Sequence, residues 1–108
     1  MVRKRAGRQL EPFVYDFARR LREEMDAEQV ILFGSRARGD CLKESDYDFI
    51  VVSQRFHGVP WPHRPVEVYR LWQGSPGVEL LCYTPEEFQR KSREISVVAE
   101  ALREGVQL

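Results

Sequence analysis

Two aspartates separated by one residue, Asp46 and Asp48, open an otherwise apolar segment that runs to Val52. In an extended strand, residues two apart share a face at a rise of about 3.3 Å each, so these carboxylates stand roughly 6 to 7 Å apart at the backbone. Ile50 and Val52 continue that face as apolar residues. Like charges at the start of a buried strand are costly unless positive charge lies between them. A divalent cation meets that need, and Mg²⁺ takes few protein carboxylates together with phosphate oxygens. Taken alone, Asp-x-Asp also describes a solvated strand entrance. Glu79 adds a third carboxylate, inside the apolar run Val78 to Tyr83, where a buried charge needs a partner. It too has a plainer reading, the exposed face of a half-buried strand. If the two strands are neighbours, three carboxylates converge. Such a cluster can hold two metal ions, one on a phosphate chain and one lowering the pKa of an attacking hydroxyl.

A second motif, Gly34-Ser35-Arg36-Ala37-Arg38-Gly39-Asp40, follows directly on the apolar run Val30 to Phe33. Glycine lets backbone approach a phosphate with no Cβ in the way, and free N–H groups with the Ser35 hydroxyl can cradle its oxygens. Arg36 and Arg38 offer charge-assisted donors to the same anion. The dinucleotide fingerprint needs three spaced glycines and the P-loop needs Gly-Lys-Ser/Thr, and neither is present.

The elements that must position these groups are legible from spacing. Leu10, Phe13, Val14, Phe17, Leu21 and Met25 form one apolar stripe and predict an amphipathic helix over 10–25. Val30–Phe33, Tyr47–Val52 and Val78–Tyr83 read as strands, the first covered on both faces. Pro65 suits the first position of a short helix over 66–73, and Gly74, Pro76 and Gly77 suit a turn. Thr84, Pro85 and Glu87 make a capping box for a last helix reaching Arg103, with Phe88, Ile95, Val98, Ala99 and Leu102 inward and Gly105 ending it. Glu86 and Glu87 are explained by that helix start. Residues 1–9, with Arg3, Lys4, Arg5 and Arg8 and no acid, read as a basic tail ahead of a single domain over 10–108.

Composition bounds the function classes. A chain of 108 residues has room for one domain, and 43% hydrophobic with 31% charged residues excludes a disordered chain. Lys plus Arg and Asp plus Glu each number 17, which argues against broad electrostatic binding to nucleic acid. No apolar run approaches the roughly 20 residues of a membrane helix, and no apolar leader follows Met1, so a cytoplasmic protein is expected. Cys41 and Cys82 are too few for a disulfide scaffold or a zinc site. His57 and His63 read as surface residues, and Trp61 and Trp72 as packing residues.

Phe33-Gly34-Ser35 followed by Ser45-Asp46-Tyr47-Asp48-Phe49 resembles the signature of the DNA polymerase β-type nucleotidyltransferase superfamily. The run Gly34 to Gly39 with Ser45 to Asp48 is similar to its minimal nucleotidyltransferases, and the likeness extends through Val78-Glu79-Leu80 and Tyr83 to Phe88. This resemblance implies an α+β fold, a small mixed β-sheet backed by helices as in the polymerase β palm. It implies an NTP such as ATP bound with Mg²⁺, two ions in all, and release of pyrophosphate. By position, Gly34 and Ser35 would hold the triphosphate, Asp46 and Asp48 the metals, and Glu79 would be the third metal-binding and catalytic carboxylate, orienting or activating the acceptor hydroxyl. The family commonly has Asp where this chain has Glu79, one methylene longer, and an aliphatic residue where it has Tyr47. By alternation Tyr47 points to the other sheet face and bears on packing. Larger relatives add a substrate-gripping domain, for which this chain has no room, so the acceptor is expected on a partner or a second copy. Minimal members typically pair with HEPN-domain proteins as antitoxins, and some attach AMP to the partner's tyrosine. The rival reading is a non-catalytic nucleotide-binding module that masks such a partner, and Glu79 is the feature that feeds it. Transfer to a small molecule and a two-metal nuclease rank below both.

Overall fold

The computed structural model describes residues 10–74, 77–94 and 96–108. Helix α1 (Pro12–Met25) precedes strand β1 (Gln29–Phe33), a one-turn helix α2 (Ser35–Arg38) and strand β2 (Tyr47–Val52). Two 3-10 turns, Gln54–Phe56 and Trp61–His63, lead into helix α3 (Arg64–Tyr69). Strand β3 (Val78–Tyr83), helices α4 (Pro85–Ser92) and α5 (Val97–Glu104) and the short strand β4 (Val106–Gln107) complete the chain. The expected α+β architecture is present, with the four strands in the order β3-β2-β1-β4. β1 runs antiparallel to β2 and β4, whereas β2 and β3 are parallel.

Both faces of the sheet are covered, which is why β1 and β2 read as near-continuous apolar runs. On one face, Val30, Leu32, Phe49, Val51 and Cys82 pack with Val14, Phe17 and Leu21 of α1 and with Val68 and Trp72. Tyr47 belongs to this layer, with its ring 5.5 Å from Phe13 and 5.3 Å from Trp72. Burial pushes the Cys82 thiol up to about 12, consistent with a small apolar core residue. On the other face, Ile31, Ile50, Val52 and Tyr83 meet Phe88 of α4 and Val98 and Ala101 of α5.

The first helix and the three long strands fall where the pattern places them, with the stripe from Leu10 to Leu21 inward. Three details differ. The short helix starts earlier, at Arg64, because the 3-10 turn Trp61–His63 feeds it directly. The last helix is broken in two, and the break follows from serine chemistry. The Ser96 hydroxyl donates to the Lys91 carbonyl at 2.9 Å and accepts from the Ala99 N–H at 3.3 Å, so it starts a new helix instead of continuing the old one. This turn brings α5 across the sheet and lets the chain return as β4, a strand too short for a periodic signal. A Cβ at Gly105 would lie 2.5 Å from the Ala101 carbonyl and 2.8 Å from Ile31, so glycine permits that return. The expected basic tail, the Pro76 part of the turn and the inward Ile95 lie outside the described residues.

The capping box at α4 is present and does more than cap. Thr84 Oγ1 accepts from the Glu87 N–H at 3.2 Å, and Glu87 Oε1 accepts from the Thr84 N–H at 2.9 Å. Glu87 also receives both guanidinium arms of the buried Arg64, at 2.6 and 3.2 Å, while Arg64 donates to the Val59 and Cys82 carbonyls. Its Arg64 hydrogen bonds hold the Glu87 carboxyl down at about 2. A carboxyl lowered on folding stabilises the fold above its ordinary value of 4.5, and that contribution disappears as pH falls toward about 2. Glu87→Gln should lose roughly 2 kcal/mol in urea unfolding at neutral pH, because it leaves Arg64 buried without its anion. The wild-type stability should fall between pH 4.5 and 2 by an increment that the variant lacks.

Candidate active site

The strand directions decide where the chemistry-bearing residues meet. β2 and β3 are parallel and in register, so Asp48 sits directly beside Glu79. β1 is antiparallel to β2, so its end, Phe33, lies on the other side of Asp48, and the chain passes straight into Gly34 and Ser35. The end of β1 and the starts of β2 and β3 therefore share one edge of the sheet. Gly34, Ser35, Asp46, Asp48 and Glu79 all belong to that edge.

Asp48 is half-buried at the centre of this group. Burial, then repulsion and hydrogen bonding from Glu79, then the charge of Asp46 push its carboxyl up to about 6, against a smaller opposing pull from Arg38. Glu79 and Asp46 are exposed. Gly34 takes φ +73° and ψ −160°, a region that is essentially glycine-only. A Cβ there would lie 2.4 Å from Asp48 Oδ2, so the bare backbone makes room for the carboxylate. Gly77 plays a milder version of that part for Asp46, since its Cβ would stand 3.2 Å from Oδ1.

The expected three-carboxylate metal cluster is not assembled among the described residues, where no three His, Cys, Asp or Glu side chains are gathered for an ion. The structure brings Asp48 and Glu79 together and leaves Asp46, which precedes the regular strand, at the rim. Mutual repulsion among carboxylates is the physical reason for such spreading. The donor set nonetheless fits a divalent cation. These are hard oxygen ligands, and the raised Asp48 carboxyl records like charge at this edge that a cation would offset.

The two arginines of the turn have contacts that composition alone does not reveal. Arg36 Nε donates to the Ser45 carbonyl at 3.0 Å, and its Nη2 donates to the carbonyls of Ser45 at 2.8 Å and Lys43 at 3.0 Å. Its guanidinium lies over the Tyr47 ring, 4.4 Å from the centroid. In this structure Arg36 thus braces the segment that delivers Asp46, a part the sequence reading did not assign to it. Arg38 ion-pairs with Asp40 and with Glu104 of α5, at 3.2 and 2.9 Å, and tethers the turn to the helical layer. Residue spacing does not signal the Arg36 brace or the Arg38–Glu104 pair, because the acceptors are backbone carbonyls in one case and a residue 66 positions away in the other. Of the residues set aside earlier, His57 and His63 are exposed and Trp72 is core, while Trp61 is 46% exposed.

Residues 14–104 match the family description of the nucleotidyltransferase domain. The chain belongs to this family, whose activity is nucleotidyl transfer and whose members generally use an NTP with a divalent metal. Among solved structures, it is similar to a Sulfolobus solfataricus protein provisionally assigned as a nucleotidyltransferase. They share 24% identity with a TM-score of 0.53 over 94% of this chain and 90% of that one. A second structure with the same provisional assignment shares 22% identity, TM-score 0.50, over 88% and 92% of the two chains. BolA1 from Arabidopsis thaliana has a similar fold, with TM-score 0.58 at 19% identity over 72% of this chain and 98% of its own. No curated protein matches the sequence.

Gly34→Ala should cost about 1 to 3 kcal/mol from backbone strain alone, and more from the Asp48 clash. Thermal unfolding measures the loss, and weakened ATP binding in the folded fraction would report the displaced carboxylate. Arg36→Ala should speed amide hydrogen exchange at Leu42 and Ser45, whose N–H groups bond within the braced segment, by about tenfold through loss of charge-assisted hydrogen bonds to that segment. Arg36→Lys should not restore protection, because an ammonium lacks the planar fork that spans two carbonyls.

Proposed function

We propose that this chain transfers AMP from ATP, with Mg²⁺ bound, to a hydroxyl on a partner protein. The observation that carries the reading is the convergence of the Gly34–Ser35 turn with Asp48 and Glu79 at one sheet edge, with Asp46 at its rim. Gly34 and Ser35 hold the triphosphate, with Arg38 adding positive charge beside Asp48. Asp46 and Asp48 hold the cations, and Glu79 completes the ligand set. When bound, Mg²⁺ neutralises the phosphate chain and eases deprotonation of the acceptor. The acceptor oxygen bonds to the α-phosphorus, the bond to the pyrophosphate oxygen breaks, and the hydroxyl proton passes to the Glu79 carboxylate. The acceptor is a HEPN-domain toxin to which this protein is the antitoxin. That assignment rests on the likeness of Gly34–Gly39 and Ser45–Asp48 to minimal members of the superfamily.

A second reading, a nucleotide-binding module that masks its partner without chemistry, is favoured by the carboxylates not forming a closed metal cluster among the described residues. One experiment separates the two. Intact mass of the protein and a co-purified partner, after incubation with Mg²⁺ and ATP, should show an AMP-sized gain on the partner. The gain should vanish in Asp48→Asn. An unmodified partner in a stable complex would establish the masking module instead.

A further inference from the structure

At the other end of β3 from Glu79, a cleft of about 280 Å³ is lined by Trp61, Tyr83, Glu87, Arg90 and Lys91. Four residues along the strand separate Tyr83 from Glu79, roughly 13 Å, so this cleft is distinct from the carboxylate edge. Its wall is prebuilt. The Trp61 ring leans on Tyr83 at a centroid distance of 5.0 Å, and the Arg64 guanidinium lies 5.6 Å from its centre. Arg64 is in turn immobilised by Glu87 and two backbone carbonyls. Trp61 nevertheless remains 46% exposed, a large aromatic side chain held in place at the cleft wall.

The charge of the cleft is equally specific. Its one acid, Glu87, is satisfied by Arg64 and the Thr84 N–H. Arg90 and Lys91 have no acid within ion-pair distance among the described residues. A fixed aromatic face beside two uncompensated cations suits a ligand that joins a flat ring to a dianion. The volume lies near the lower end of small-molecule sites. We propose that this cleft is a second ligand site, for a nucleoside monophosphate whose base stacks on Trp61 and whose phosphate is held by Arg90 and Lys91. Such a site stands apart from the transfer reaction proposed above and needs no metal.

Calorimetric titration with AMP, in chelator and without divalent cation, tests this directly. The wild-type protein should bind AMP. Arg90→Gln/Lys91→Gln, two side chains on the outer surface of α4, should weaken binding roughly tenfold or more through lost charge-assisted contacts. Trp61→Ala should weaken it by a similar factor, and ribose 5-phosphate, which lacks the base, should bind the wild-type protein correspondingly less well. No binding at millimolar AMP, or an unaltered affinity in either the Arg90/Lys91 double variant or Trp61→Ala, would overturn the proposal. Because no nucleotidyl transfer is measured, failure here leaves the reading of the carboxylate edge intact, and the converse also holds.

Discussion

The register of β2 between its two neighbours is the constraint from which the remainder of this molecule follows. Asp48 is paired with Phe33 on one side and Glu79 on the other. A shift of either neighbour by one residue would turn its side chains to the opposite sheet face. Glu79 would then point toward the aromatic layer of Phe13, Tyr47 and Trp72, where a charge has no partner. The packing of β2 and β3 on both faces thus locks two carboxylates side by side. Packing of Ile50 and Leu81 beneath them maintains a juxtaposition that electrostatics opposes.

That opposition makes the surrounding arginines informative. Arg36 ties the segment before Asp46 to the Tyr47 ring and to its own carbonyls, and Arg38 links the turn to Glu104 on α5. Arg64 crosses from α3 to the start of α4 through Glu87 and the edge carbonyl of Cys82. Each makes directed hydrogen bonds that a lysine would make poorly, Arg36 within one loop and Arg38 and Arg64 between segments distant in sequence. A small sheet with few core layers gains definition from such braces, and they leave the carboxylate edge and the Trp61 cleft at opposite ends of β3.

The similarity to BolA1 is one of fold alone, and layering does not by itself specify chemistry. What sets this chain's candidate site apart is the placement of a glycine at φ +73° against an aspartate at the start of the neighbouring strand. Glycine is required there by the close approach of the carboxylate, and the strained region it occupies is closed to other residues. The glycine turn and the carboxylate are one unit, and neither could be moved along the chain independently.

The sequence carries enough local periodicity, or a partner within four residues, to specify helix α1, the three long strands and the capping box. It also carried Tyr47 to the face away from the carboxylates, where the structure places it among Phe13, Phe49 and Trp72. The helix break after Ser92 and the Arg36 brace rest on partners within nine residues that periodicity does not record, whereas tertiary structure set the return strand β4 and the Arg64–Glu87 pair. It also left Asp46 at the rim instead of beside Asp48 and Glu79. Periodicity records which face of an element is buried, whereas the partner of a charge such as Arg38 or Arg64 is chosen by chain segments that meet only after the sheet has formed.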